Sequence, residues 1–207
     1  MRRAMARKRM SLNWLDWVRS PGMCIRSIRY FEKQGSVRAL KRDVAKDNLL
    51  GHLRKANHNL RLANRLFDMQ EGNQFDFRYE GETSFDWVVT ICYYAMYQAC
   101  LAALAAVQKA GESHAATVCA LVHYYFHKKR RLNEQYLLTL ERIEALASQD
   151  IQILVTSKEK RERASYDSSF VTQRGIAEVA LTDAREFVAK IREILEEGLG
   201  QEYLKEV

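Results

Sequence analysis

An all-α fold is predicted by three features of the chain: a single proline, Pro21, in 207 residues; nine glycines; and long stretches in which apolar side chains recur every three or four positions. Runs of β-branched residues of the kind that build buried strands are scarce. The apolar share of 47% and charged share of 29% are those of a folded chain, and the length suits one domain with a real interior.

The first 42 residues carry 12 Lys or Arg against Asp16 and Glu32, a net +10, while the rest of the chain carries 21 against 24, a net −3. Residues 1–43 therefore read as a basic extension, and residues 44–207 as the helical bundle. Trp14, Trp17, Tyr30 and Phe31 interleave with the cations. They either offer stacking faces beside a phosphate backbone or pack a short helical pair onto the bundle with its lysines and arginines in water. The basic start is not followed by a continuous apolar run, so no secretory signal is expected.

From Val44 to Met69, Leu49, Leu53, Ala56, Leu60, Ala63 and Phe67 alternate steps of four and three, the stripe of a helix laid on a core. Gly72 and Asn73 end it, a polar loop follows, and Ser84 is a candidate N-cap for an apolar helix from Phe85 to about Lys109. The uncharged stretch Trp87 to Val107 is long enough to cross a bilayer. It is nonetheless alanine-rich and broken by Thr90 and Gln98, and its neighbours are amphipathic helices that need a buried partner. A central bundle helix is expected, with no membrane contact.

Gly111 breaks the chain and Ser113 caps a third helix bearing Val118, Leu121, Val122, Tyr125 and Phe126, which runs into the cations 127–131. A fourth helix is expected from about Asn133 to Ala147 on Tyr136, Leu140, Ile143 and Ala147, and Gln149 and Asp150 suggest a break before a fifth segment. The last helix, about Gly175 to Glu197, carries Ile176, Ala180, Ala184, Phe187, Ile191 and Leu195 on one side.

Among candidate sites, Cys119, His123 and His127 share a helix face by their spacing of four, but one straight helix cannot close a tetrahedral zinc shell, so no metal is expected. The four cysteines, Cys24, Cys92, Cys100 and Cys119, lack CxxC spacing and read as reduced buried thiols of a cytoplasmic protein. Asp47, His52 and His58 fall on the less apolar side of the first long helix and read as surface. No phosphate-binding glycine loop or nucleophile elbow occurs, and no cofactor is expected.

The fifth segment holds KEKRERASYDSS, residues 158–169. Glu159, Arg163 and Asp167, spaced by four, can form a solvated ion-pair ladder. Arg161 instead has Ala164, Ser165 and Ser168 as helical neighbours, a small hydroxylated face on which a guanidinium can meet a phosphate.

The alanine- and leucine-bearing first helix, FDWVVTICYYAMYQACLAAL, Ser113 with His114, RERASYD and AREFVAKIREIL together resemble a HEPN domain (higher eukaryotes and prokaryotes nucleotide-binding) over about residues 44–197. The resemblance implies a bundle of four to five helices that pairs into a homodimer, with the arginine-bearing helices facing a shared cleft. Many members are metal-independent ribonucleases, and small prokaryotic ones are often encoded beside a minimal nucleotidyltransferase as toxin and antitoxin. Carried over, the motif arginine is Arg161, and its histidine should fall at Tyr166, Asp167 or Ser168. No histidine follows His127, so the chain departs from the nuclease pattern at the group that would move protons near neutral pH.

The resemblance therefore implies an RNA- or nucleotide-binding homodimer with contacts at Arg161, Ser165 and Ser168, working with a nucleotidyltransferase partner. The alternatives are a metal-independent endoribonuclease toxin using Arg161, Tyr166 and Asp167, and a purely structural helical adaptor. Tyr166 is equally a candidate for nucleotidylation by the partner.

Overall fold

The computed structural model describes residues 14–75, 83–145, 173–200 and 204. The segment bearing Arg161, Ser165, Tyr166, Asp167 and Ser168 lies outside the described residues.

Two short helices, α1 (Trp14–Arg19) and α2 (Pro21–Lys33), open the fold. Ser20 separates them: its backbone is extended, its hydroxyl accepts from the Met23 amide at 3.3 Å, and Pro21 occupies the first turn, where its missing N–H costs nothing. Trp17, Cys24, Ile28 and Phe31 point into the core, while Arg19, Arg26, Arg29 and Lys33 stay in water. Of the two readings of this basic, aromatic stretch, residues 14–33 follow the second, with aromatics packed and cations solvated. Tyr30 remains exposed.

The sequence reading held no strand, yet β1 (Val37–Ala39) pairs antiparallel with β2 (Lys109–Gly111), Val37 opposite Gly111 and Ala39 opposite Lys109. The correction is small in extent, and the described fold is otherwise helical. Its physical reason is long-range: three-residue strands carry no periodic signal, and each exists only because the other satisfies its backbone groups. Gly111, expected simply to break the chain, lies where β2 packs on the helix that follows, and a methyl group there would collide with Thr117.

The frame of the molecule is the pair α3 (Arg42–Glu71) and α4 (Phe85–Ala106). The 30 residues of α3 span about 45 Å. Three cross-links show the two helices running antiparallel along their whole length. Ser84 donates from both amide and hydroxyl to Gln70 Oε1 at one end, His52 Nδ1 meets Gln98 Oε1 at 2.7 Å midway, and the Leu40 amide reaches the Gln108 carbonyl at the other. Ser84 thus bonds across the hairpin rather than capping α4, as the sequence had suggested, and His52 is half-buried against α4 rather than a free surface residue.

Helix α4 is the one described helix long and apolar enough to cross a membrane, but two thirds of its most apolar window is buried inside the protein. It is the central helix of the core, with Val88, Val89, Cys92, Met96, Ala99, Ala103 and Leu104 all inaccessible to solvent. Its alanines let neighbouring helices approach closely.

After β2 come α5 (His114–Leu121), capped by the Ser113 hydroxyl on the Ala116 amide as expected, and a π-helical stretch over Val122–Lys128. Residues 134–145 form a further helix, here α6, entered through Asn133, whose side chain accepts from the Tyr136 amide at 3.2 Å. Last, α7 (Arg174–Leu199) buries Ala177, Ala180, Ala184, Phe187, Val188, Ile191 and Leu195 against α4 and α3. Arg174 pairs with Glu71 at 2.6 Å and Arg185 bonds Asn64, so α7 runs antiparallel to α3.

Candidate functional site

Where α1, α5 and α6 meet there is a half-open cavity of about 320 Å³, within the size range of small-ligand sites. Trp14 and Trp17 come from α1, three residues apart and so on one face. His114, Ala115 and Val118 come from the first turns of α5. From α6 come Leu137, Leu140, Glu141 and Glu144, a single face that changes from apolar to acidic along the helix.

The floor is apolar and rigid. Leu137 and Leu140 are buried, and Trp17 is 1% exposed, its indole N–H held by Ser27 Oγ at 3.0 Å. Trp14 differs: it is only partly buried, and its Nε1–H, itself shielded from water, has no partner among the described residues.

His114 and Glu141 sit exposed at the rim, with Glu144 half-buried between rim and floor. The His114 ring is edge-to-face with Tyr97, centroids 4.4 Å apart, and with Tyr93 at 5.5 Å. Tyr97 is in turn held by its hydroxyl near Thr117 Oγ1 at 3.2 Å, so the imidazole leans on a fixed aromatic backing. Burial lifts the Glu144 carboxyl above the ordinary carboxylate range, and the nearby His114 partly counters that rise.

A second depression between α6 and α7, lined by Tyr136, Arg142, Asp183 and Glu186 among others, is wide and polar, with the Arg142–Asp183 ion pair across it.

Cys119, His123 and His127 do not converge. The Cys119 thiol points to the Cys24 carbonyl at 3.9 Å and the Cys24 thiol to the Cys119 carbonyl at 3.7 Å, while His127 Nε2 meets the Trp17 carbonyl at 2.8 Å. His123 is 8% exposed, its Nδ1 has no partner among the described residues, and burial, aided by Lys128, lowers its pKa. The turn to π geometry at Val122 also breaks the four-residue spacing on which a shared face depended. Among the described residues no group of three His, Cys, Asp or Glu is placed to hold a metal ion. All four cysteines are buried and free, and desolvation pushes Cys92 up to about 12.

Of the cavity's residues, Trp14 and Trp17 were legible as stacking candidates and His114 as one of the residues that carry the resemblance. Glu141 and Glu144 were missed, because the fourth helix was phased on Tyr136, Leu140, Ile143 and Ala147. Reading Leu137, Leu140, Glu141 and Glu144 as one stripe would have exposed the switch from apolar to acidic. No protein-family model matches this chain, and no curated protein matches it significantly.

Proposed function

We propose that this protein is a HEPN-type RNA- or nucleotide-binding bundle, a cytoplasmic homodimer that works with a minimal nucleotidyltransferase in a toxin–antitoxin or defence-like system. One observation carries the reading. The cavity joins flat aromatic surface to hydrogen-bonding rim groups, the composition that receives an unstacked base, and α6, which supplies its carboxylates, precedes in sequence the stretch that holds Arg161. The long antiparallel pair α3 and α4 with α7 across both is compatible with the bundle that the resemblance implies. Four buried, unpaired thiols suit a reducing compartment.

In this reading Arg161, with Ser165 and Ser168, meets the phosphate, and Tyr166 is available for nucleotidylation. The test is binding of the full chain to a fluorescent single-stranded RNA, followed by anisotropy in EDTA, alongside sedimentation for the oligomeric state. Arg161→Ala should weaken binding about tenfold or more and leave the dimer intact, with no RNA cut. Unchanged affinity in that variant, or a monomer at micromolar concentration, would count decisively against it.

A metal-independent ribonuclease is the second reading, favoured by His114 standing at the rim beside Glu141 and Glu144, an imidazole from outside the motif in the role of general acid or base. RNA cleavage in EDTA that is lost in both Arg161→Ala and His114→Ala would establish it in place of the first.

A further inference from the structure

We infer that the solvent-facing side of α3 between Arg54 and Arg65 is a track for the phosphate backbone of a single RNA strand. That the strand is RNA rests on the reading above, whereas the track itself follows from the charges of this helix.

His52 bonds Gln98 on α4, and Asn64 accepts from Arg185 on α7, so those two sides of α3 are covered by neighbouring helices, with Leu49, Leu53, Ala56 and Ala63 buried. Arg54, His58, Arg61 and Arg65 follow one another in steps of four, three and four, which sets them in one row, and all four are exposed. At 3.6 residues per turn the row spans an arc of roughly 60° directed away from the buried side, and it rises about 16 Å along the helix.

This row has no counter-charge on its own helix. Between Asp47 and Asp68 the chain has Arg54, Lys55, Arg61 and Arg65 and no Asp or Glu. Arg61 and Arg65 stand four apart, a spacing at which like charges destabilise a helix. The exposed face of α7 is built the other way: Arg174 pairs with Glu178, Lys190 with Glu193 and Arg192 with Glu196. No ion pair engages Lys55, Arg61 or Arg65 among the described residues. A row that served only solubility would gain from an acid one turn away, whereas a row that meets an anion would be weakened by one.

Charge complementarity therefore calls for a polyanion, and the rest of the surface narrows its kind. Protein interfaces are anchored by buried aromatic or aliphatic side chains, and membrane-surface helices by an apolar face. On α3 the apolar face is turned to the core, and Leu62 is the only large apolar side chain left exposed between Asp47 and Asp68. What remains is cationic, Arg54, Arg61 and Arg65 with Lys55 beside them, and a guanidinium fork holds phosphate oxygens in pairs. A single row matches one strand; the two strands that border a duplex groove would need two rows. Such contacts position a strand without reading its bases.

Fluorescence anisotropy of the full chain with oligouridine and oligoadenine RNA of one length, in EDTA and over a range of salt, tests this. Arg61→Gln combined with Arg65→Gln should weaken both strands about tenfold or more and lower the salt slope of log affinity by about 1.4, as for two contacts on a single strand. Lys190→Gln combined with Arg192→Gln removes the same net charge from cations already paired on α7, and should change affinity by less than about twofold. The α3 variant should melt no lower than the unaltered chain, because it relieves repulsion between exposed groups.

Equal losses in the two double variants would reduce the effect to net charge and overturn the track. A loss confined to one of the two strands would mean base reading and overturn it too. Undiminished RNA affinity in an α3 variant that no longer binds phosphatidylserine vesicles would make the row a membrane contact instead. Failure of the wider reading looks different. Binding that needs Arg161 but not Arg61 and Arg65 removes the track alone, binding that needs Arg61 and Arg65 but not Arg161 keeps the track and removes the Arg161 site, and a chain that binds neither strand removes both.

Discussion

The two halves of this molecule are held together differently. The α3, α4 and α7 half is a stack of long helices whose contacts come from repeating Ala, Leu, Val, Ile and Phe positions, with polar cross-links at the edges. The half built from α1, α2, the β1–β2 ribbon, α5 and the π-helical stretch is made of short elements tied by single named bonds. Trp17 donates to Ser27, His127 meets the Trp17 carbonyl, Cys24 and Cys119 exchange weak thiol contacts with each other's carbonyls, and Glu32 pairs with Lys109 at 2.8 Å. The first half has redundancy: many similar contacts share the load, so burial dominates its stability. The second has little, because each bond joins residues far apart in sequence, and each matters individually.

The largest expected effect lies in the redundant half, where a single side chain still removes much apolar surface. Phe187, fully buried on α7, should cost about 3–5 kcal/mol on truncation to Ala, read as a lower urea midpoint with an unchanged slope. Comparable losses from single-bond variants in the other half would dissolve the distinction drawn here. Ser27→Ala should remove the buried Trp17–Ser27 hydrogen bond at a cost of about 1 kcal/mol. Stability that does not change would mean that the bond is replaced locally.

Gly111→Ala brings a methyl group against Thr117 and should cost about 1–3 kcal/mol by forcing β2 away from α5. A second substitution, Thr117→Ala, should recover part of that loss by making room. This is a coupling that a glycine acting merely as a chain breaker would not show.

The smallest effect is the most diagnostic of the second half. Burial lowers the His123 pKa below the ordinary imidazole value, with Lys128, His127 and Lys109 acting in the same direction and Glu32 against them. The unfolded chain then binds the proton more readily than the folded one. Stability from this group is complete above about pH 6.5 and is lost as the pH falls through the folded value. Melting temperature should decline on acidification from pH 7.5 to 5.5. His123→Phe, which also removes an Nδ1 that has no partner among the described residues, should flatten that decline without lowering stability at pH 7.5. An unaltered pH profile in the variant would assign the acid sensitivity elsewhere. Glu144 acts with the opposite sign, because its carboxyl is held above the usual range, and so works against the decline in both proteins alike.

The same contrast explains what could be read in advance. The steps of three and four in Leu49, Leu53, Ala56, Leu60 and Ala63, and in Ala180, Ala184, Phe187, Ile191 and Leu195, placed α3 and α7 to within a few residues, because a helix buries one side and that side is written into the chain. The loss of charge over α4 marked it as the central helix for the same reason. The aromatic residues of α1 and α2 announced burial or stacking, without saying which partner would receive them.

What the amino-acid sequence by itself determined is therefore the helical class, the order and extent of the long helices, the central place of α4 and the cap at Ser113, all of which follow from local preference and one-dimensional periodicity. Tertiary structure alone decided the β1–β2 pairing, the π-helical turn after Leu121, the bond that takes Ser84 from its cap to Gln70, and the meeting of Trp14, His114 and Glu144 around one cavity. Each of these joins groups separated by tens of residues or resolves a competition between local and distant hydrogen bonds, and no periodicity along the chain records the outcome of that competition.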